Sequence, residues 1–190
     1  MVYILLGNGF EEIEALTPCD LLRRAGIEVA LVGVNGREIT GSHRIVVKAD
    51  LLLRDVSLDE MEMLVLPGGL RGVQSLLASE EALELIRRAW AADKSVCAIC
   101  AAPTILAKLG LLDGIPATCY PGKGPEMGKA KVMDLPLVQF ENKITGRAAG
   151  SSIDFALAMI NELKGPEEAE RIAKQIVYKE MISHFYEVTQ

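Results

Sequence analysis

The chain has 190 residues, half of them apolar and 24% of them charged, with a formal net charge of −6. This composition is typical of an ordered globular protein that can bury a sizeable core, and it excludes a disordered chain. Nucleic acid is not an expected partner, because phosphate binding needs a basic surface and the chain has no basic run longer than a pair of arginines.

The sequence also lacks the features of membrane and secreted proteins. No apolar run approaches the ~20 residues that a membrane-spanning helix needs, and no basic leader precedes the strand-like residues at Val2. The four cysteines form no regular framework, which favours a reducing compartment. We therefore expect a cytoplasmic protein without a membrane partner, with residues 1–190 in a single domain.

Strand-like runs and helical patterns alternate along the chain. The predicted strands and extended segments are Val2–Leu6, Glu28–Val34, short strands or a hairpin within Ile39–Leu53, Met63–Leu66, Val96–Ile99, Ala117–Tyr120, Leu137–Phe140 and Lys143–Thr145. The predicted helices are Ala15–Ala25, Ser79–Ala92, a short helix from Ala101, Ser152–Leu163 and Pro166–Met181, the last with a buried stripe of Ala169, Ile172, Ala173, Ile176 and Val177. This alternation predicts an open, mostly parallel sheet with helices on both faces and ligands at the carboxyl ends of its strands.

The stretch Ser95–Leu112 joins a strand to a helix without a linker. Its apolar start changes at Ala101 into a helical pattern, which Gly110 ends. Cys100 lies at this junction, so we expect a sharp elbow that exposes its side chain beside the free N–H groups of the helix start. Such surroundings favour the thiolate. Free cysteines are also among the most buried residues, so a structural role for Cys100 stays open at this point.

Three motif-based alternatives have little support. Gly7-Asn8-Gly9 begins like a dinucleotide-binding loop, but Glu12 stands at the third glycine position and would repel a pyrophosphate. Cys97 and Cys100 form a C-x-x-C, but in an extended strand their Cα atoms lie about 10 Å apart, beyond disulfide reach, so we expect Cys97 in the core. The other cysteines and histidines are too scattered to form a zinc site: Cys19, Cys119, His43 and His184. We expect neither a metal nor a cofactor.

Pro67-Gly68-Gly69 follows a predicted strand and has two interpretations. One is a tight turn, which this tripeptide readily forms. The other is a pocket at the strand ends, in which the backbone N–H of Gly69 and that of Ala101 face Cys100 like an oxyanion hole.

Five motifs in this order resemble those of the ThiJ/PfpI superfamily: G-F-E-E-I-E, L-R-R-A-G-I, V-L-P-G-G, A-I-C-A-A-P-T and I-T-G-R-A-A-G-S-S-I-D-F-A-L-A. The resemblance runs from Val2 to about Gly165 and is strongest to the branch of the Parkinson-disease-associated protein deglycase and its bacterial relatives. It implies a flavodoxin-like, three-layer α/β sandwich of the class I glutamine amidotransferase-like type, with a nucleophile elbow at Cys100. It also implies a homodimer.

The resemblance assigns roles to individual residues. Cys100 matches the reactive, oxidation-prone cysteine of the family, and Glu14 matches the acidic residue that contacts it. Gly69 and Ala101 match the backbone donors of the pocket. A carboxyl and a thiol in contact resist ionising together, so the productive state would be a protonated Glu14 that donates a hydrogen bond to the Cys100 thiolate.

The chain also departs from the family pattern. Ala101 follows the cysteine where the protease-like branch has a histidine, so the chain is not expected to be a Cys-His protease. Tyr120 stands where the deglycase branch often has a histidine. Unless His43 or His184 approaches the site, Glu14 must therefore move the proton.

Three further residues have open roles. Cys119 would add a second sulfur to the pocket if its thiol points toward Cys100. Arg44 and Arg147 match arginines of the family, which would hold an anionic substrate or contact a second subunit.

These observations lead to three hypotheses about function. The first is an enzyme that acts on reactive aldehydes such as methylglyoxal or on their protein adducts, through Cys100 and Glu14. The second is a redox sensor or stress-linked chaperone in which Cys100 is oxidised. The third is a binding protein without turnover. The thiazole-biosynthesis label of many relatives has no support here, because the sequence offers no phosphate-binding loop.

Overall fold

The computed structural model describes residues 1–178. Its strands are β1 (Val2–Leu6), β2 (Val29–Gly33), β3 (Glu38–Thr40), β4 (Val46–Lys48), β5 (Leu51–Leu52), β6 (Met63–Leu66), β7 (Ser95–Ile99), β8 (Pro116–Ala117), β9 (Lys131–Val132), β10 (Leu137–Phe140) and β11 (Lys143–Gly146). Its helices are α1 (Glu12–Arg24), α2 (Leu70–Leu77), α3 (Glu80–Ala91), α4 (Pro103–Lys108), α5 (Ser152–Lys164) and α6 (Pro166–Gln175).

A seven-stranded sheet forms the centre of the fold, in the order β10-β11-β7-β6-β1-β2-β5. All neighbouring strands in it are parallel except β10 and β11. Two short pairs lie outside this sheet: the antiparallel hairpin β3–β4 and the parallel pair β8–β9.

Helices cover both faces of the sheet. On one face, α2, α3 and α4 contribute buried side chains such as Leu76, Ile86 and Ile105. On the other face, α1, α5 and α6 contribute side chains such as Leu22 and Phe155. Strand β1 alternates between the two faces, which is the pattern of a strand buried on both sides. The expected three-layer, mostly parallel α/β architecture is therefore confirmed.

The carboxyl ends of β1, β6 and β7 define the edge where a ligand is expected. The chain passes from β1 to β2 on one side and later places β6 on the other side of β1. This reversal is a topological switch point, where open α/β sheets bind their ligands. The segments that leave this edge contain Glu14, Gly69 and Cys100.

Several helices differ from the predictions. Helix α1 begins at Glu12, three residues before the predicted Ala15. The sequence analysis missed α2, because Gly72 interrupts its pattern. That glycine is required by packing, since a Cβ there would lie 2.7 Å from Phe10 Cα. The helix after Cys100 begins at Pro103 and not at Ala101, because residues 100–102 are used to make the turn.

The last helix is shorter than predicted. It was expected to continue to Met181, but α6 ends at Gln175. Of its predicted stripe, Ile172 is fully buried, but Val177 lies beyond the helix and is 44% exposed. Residues 179–181 of the predicted helix lie outside the described residues. Among residues 1–178, no helix combines the length and apolar character required to cross a membrane.

Candidate active site

Cys100 forms the expected elbow between β7 and α4. Its φ angle is +67°, a left-handed conformation that is uncommon for residues other than glycine. Backbone hydrogen bonds hold this conformation on both sides: the Cys100 N–H donates to the Gly146 carbonyl at 2.9 Å, and the Tyr120 N–H donates to the Cys100 carbonyl at 2.7 Å. The strained backbone is therefore fixed by two neighbouring segments, which is a common feature of functional sites.

Glu14 projects from the first turns of α1 into the same crevice and is 1% exposed. Its Oε2 accepts a hydrogen bond from the Gly68 N–H at 2.9 Å. Its carboxyl group is also within hydrogen-bonding reach of the Cys100 thiol. The structure thus brings together the two residues that were expected to form the reactive pair.

The two backbone N–H groups expected to line the pocket lie beside the same thiol. The N–H groups of Gly69 and Ala101 both face the Cys100 thiol. Gly69 has a φ angle of +84°, and a Cβ at this position would lie 2.4 Å from the Gly9 carbonyl oxygen. Only glycine therefore allows this strand end to present its N–H so close to the loop after β1.

The proton affinities of the pair are raised by their surroundings. Burial raises the pKa of Glu14 to about 7, against the opposing hydrogen bonds from Cys100 and Gly68. Burial, followed by the charge of Glu14, raises the pKa of Cys100 to about 12, against the N–H groups of Gly69 and Ala101. The N–H groups at the elbow lower the pKa of the thiol, as expected, but burial and the charge of Glu14 outweigh them, so the net shift favours the thiol in the resting site. The pair instead loses its first proton near neutral pH.

The other predicted residues are distributed around this pair. Tyr120 is 48% exposed, and its contact with the site is the hydrogen bond from its backbone N–H to the Cys100 carbonyl. Cys119 is 7% exposed and packs in the core. Arg44 is exposed in the turn between β3 and β4, and Arg147 pairs with Asp134.

The two histidines do not supply an imidazole to Cys100 within the described part of the chain. The imidazole of His43 is hydrogen-bonded to the Glu12 carboxylate at the outer rim of the site. His184 lies outside the described residues. Cys97 is fully buried in β7, as expected for a core cysteine.

The DJ-1/PfpI family model matches residues 1–162. The chain belongs to this family. It is 37% identical over 177 residues to Drosophila melanogaster protein dj-1beta, which covers 92% of the chain and 95% of that protein. It is 33% identical over 165 residues to a Pyrococcus abyssi protein named a deglycase, which covers 86% of the chain and 99% of that protein. Its structure is similar to that of oxidized Toxoplasma gondii DJ-1, with a TM-score of 0.88 and 32% identity over 93% of the chain and 97% of that structure. The resemblance and the flavodoxin-like fold are therefore confirmed.

The sequence analysis of this DJ-1/PfpI protein missed the part played by Gly68. Its N–H binds Glu14, and a Cβ on Gly68 would lie 2.6 Å from both Cys100 Cβ and Glu14 Oε2. The site therefore needs a bare backbone here as well as at Gly69. The signal was present in the pair of glycines after β6, but a turn explained the same pair equally well.

A cluster of polar side chains that was not predicted lies at the outer rim of the site, beside the Glu14–Cys100 pair. The carboxylate oxygens of Glu11 and Glu12 and a ring nitrogen of His43 lie within 4.8 Å of one another. The Ser42 hydroxyl is 3.0 Å from a carboxylate oxygen of each glutamate, to which it can donate. These groups are hydrogen-bonded to each other. Glu12 is almost completely buried, and Glu11 is close enough to Glu14 to contribute to its raised pKa.

Proposed function

We propose that this DJ-1/PfpI protein converts reactive dicarbonyls such as methylglyoxal, or their adducts on protein side chains, as a glutathione-independent glyoxalase or deglycase. The observation that carries the proposal is the contact between a buried carboxyl group with a pKa of about 7, Glu14, and the thiol of Cys100. A general base is most effective when its pKa is close to the working pH. The name of the Pyrococcus abyssi relative supports the same class of substrate.

The chemistry begins with a proton transfer within the pair. Ionised Glu14 accepts the thiol proton of Cys100, and the thiolate attacks the aldehyde carbon of methylglyoxal. A carbon–sulfur bond forms, the electron pair of the carbonyl bond moves to oxygen, and Glu14 returns the proton to that oxygen. The product is a hemithioacetal.

In this proposal, Glu14 also completes the reaction. It removes the proton from the former aldehyde carbon, which gives an enediolate. The hydroxyl proton of the hemithioacetal then passes to the former ketone oxygen, and Glu14 returns the first proton to the former ketone carbon, which gives a thioester of lactate. Water then cleaves the thioester, releasing lactate and restoring the thiol. The N–H groups of Gly69 and Ala101 stabilise the negative charge that develops beside them.

The direct test is lactate formation from methylglyoxal by the purified protein. We expect Cys100→Ser to reduce it to background and Glu14→Gln to lower it by roughly 10²–10⁴-fold, because general base catalysis is lost. Cys19→Ala is a matched control, since it removes a buried thiol of α1 that takes no part in the pair. Lactate formation that survives in Cys100→Ser would contradict the proposal.

Oxidation of Cys100 is the second candidate function. The same N–H groups and a protonated Glu14 would stabilise the oxygens of a sulfinate, and a structural relative from Toxoplasma gondii is described as oxidized. Mass spectrometry after mild peroxide separates the two functions. Two oxygen atoms added at Cys100, together with background lactate formation, would favour a redox role over turnover.

A second copy of the chain is the proposed protein partner. Three apolar side chains are exposed on the first turn of α1 and on the hairpin β3–β4 that this turn contacts, Ile13 at 53%, Ile45 at 51% and Val46 at 59%. Burial of these side chains in a homodimer would remove apolar surface from water. Light scattering should then give twice the chain mass of 20.6 kDa.

A further inference from the structure

Glu12 is a buried charged residue that the proposed chemistry does not use. It lies on the first turn of α1, two residues before Glu14, and is 5% exposed. Its Oε1 accepts a hydrogen bond from the His43 N–H at 2.7 Å. Its Oε2 is 3.0 Å from Ser42 Oγ and 2.9 Å from His43 Nδ1. A buried carboxylate with this many partners requires an explanation, since burial of a charge is costly unless it is fully hydrogen-bonded.

All of these partners belong to the turn that joins β3 to β4, residues 41–45 (the β3–β4 turn). The hairpin β3–β4 is not a member of the seven-stranded sheet, so it is attached to the body of the protein by other contacts. Gly41 shows how close this attachment is, because a Cβ there would lie 2.2 Å from Glu12 Oε1. Although burial opposes ionisation, the hydrogen bonds from His43 and Ser42 lower the pKa of Glu12 to about 2, so it stays ionised near neutral pH.

The opposite side of the same helix turn is attached to the strand end at Gly68. The Glu11 N–H donates to the Gly68 carbonyl at 3.1 Å, and the Gly68 N–H donates to Glu14 Oε2 at 2.9 Å. The first turn of α1 is therefore held from two sides, by Gly68 toward the site and by the β3–β4 turn toward the rim. On the rim side, the Ser42 N–H also donates to the Phe10 carbonyl at 2.8 Å, but that bond holds the loop before the helix. Among the hydrogen bonds within residues 1–178, those of Glu12 are the ones that hold the helical first turn itself to the β3–β4 turn.

We infer that Glu12 is a positioning residue: its hydrogen bonds to the β3–β4 turn fix the start of α1 so that Glu14 stays in contact with Cys100. This inference rests on the proposed function for the role of Glu14. It assigns Glu12 no contact with the substrate. Its effect is on the population of molecules in which the carboxyl and the thiol are in contact.

Two substitutions separate hydrogen-bond geometry from charge. Glu12→Gln retains an oxygen that accepts from the His43 N–H, and its amide donates to Ser42 Oγ and to the other tautomer of the His43 ring. Glu12→Ala removes all of these contacts. We expect Glu12→Ala to lower the kcat for methylglyoxal by about tenfold with little change in KM, because a small displacement of a catalytic group has a large effect on rate. Glu12→Gln should stay within about threefold of the wild type, because its geometry is retained.

A purely structural role would lower the melting temperature without changing the chemistry of Cys100. The deciding measurement is therefore the rate of Cys100 alkylation by iodoacetamide as a function of pH. Wild type and Glu12→Gln should share a midpoint near the pKa of Glu14, about 7, whereas Glu12→Ala should shift toward the ordinary thiol value of about 8.5. Glu167→Ala, in the exposed first turn of α6, is the control and should behave like the wild type.

The outcomes distinguish the inference from the function on which it rests. Absence of lactate formation by the wild type would refute the proposed function, while the alkylation midpoints would still report on Glu12. An unchanged midpoint in Glu12→Ala would overturn the inference, even if that variant were less stable. Equal losses in Glu12→Gln and Glu12→Ala would also overturn it, because charge and not hydrogen-bond geometry would then be the cause.

Discussion

Replacement of Glu14 by glutamine is expected to stabilise the protein above neutral pH while it lowers the rate of the chemistry. The folded state raises the pKa of Glu14 from 4.5 to about 7, chiefly through burial. The native protein therefore retains a proton that the unfolded chain has already lost, so stability falls as the pH rises from about 4.5 to about 7. Glutamine carries no charge and keeps an oxygen for the Gly68 N–H. Its expected gain is about 3 kcal/mol at about pH 8 and close to none at about pH 4.

Urea unfolding of the wild type and Glu14→Gln across this pH range measures the effect. Glu167→Gln serves as the control, since it removes an exposed carboxyl from the first turn of α6. A constant difference between Glu14→Gln and wild type at every pH would show that the carboxyl does not titrate abnormally. If Glu14→Gln were less stable than the wild type at about pH 8, this would contradict the idea that the ionised, buried Glu14 destabilises the wild-type protein.

A single methyl group at Gly68 is expected to disable the site. The Cβ of Gly68→Ala would lie 2.6 Å from Glu14 Oε2 and from Cys100 Cβ. The Cys100 Cβ is fixed directly to the backbone of the elbow and cannot give way, and the Glu14 carboxyl must turn away from the thiol to make room, so the pair must separate. We expect on the order of a hundredfold slower alkylation of Cys100 at neutral pH and a loss of about 1–3 kcal/mol in the free energy of unfolding.

Gly150→Ala provides a matched glycine control for this substitution. A Cβ at Gly150 would meet nothing within 4 Å, so we expect both the alkylation rate and the stability of that variant to stay near the wild-type values. Wild-type reactivity in Gly68→Ala would mean that the contact between Glu14 and Cys100 is unnecessary for thiol activation.

The sequence predicted the parts of the fold in which local pattern and tertiary environment agree. Strands β1, β6 and β10 have the predicted bounds. The apolar runs of β1 and β6 are fully buried between the two helical layers, whereas β10 lies at the edge of the sheet and is partly exposed. Helix α2 was missed because Gly72, which packing against Phe10 requires, disrupts the helical pattern. The contact that explains this glycine is visible only in three dimensions.

The same distinction holds for the site. The elbow and the motifs identified the position of Cys100, and the resemblance added Glu14, Gly69 and Ala101. The direction of the thiol pKa shift was missed, because it depends on burial by the whole fold. The contact of Glu12 with His43 joins residues 31 positions apart in the chain, and neither residue carries a local motif that indicates it.

The most direct test of the reactive pair is the pH dependence of Cys100 alkylation in the wild type and in Glu14→Gln. If Glu14 accepts the thiol proton, the wild-type rate should rise with a midpoint near the pKa of Glu14, about 7. In Glu14→Gln the midpoint should move above the free-thiol value of about 8.5, because burial then acts on the thiol without a neighbouring base. A wild-type midpoint at or above about 8.5 that Glu14→Gln does not change would contradict an activated cysteine.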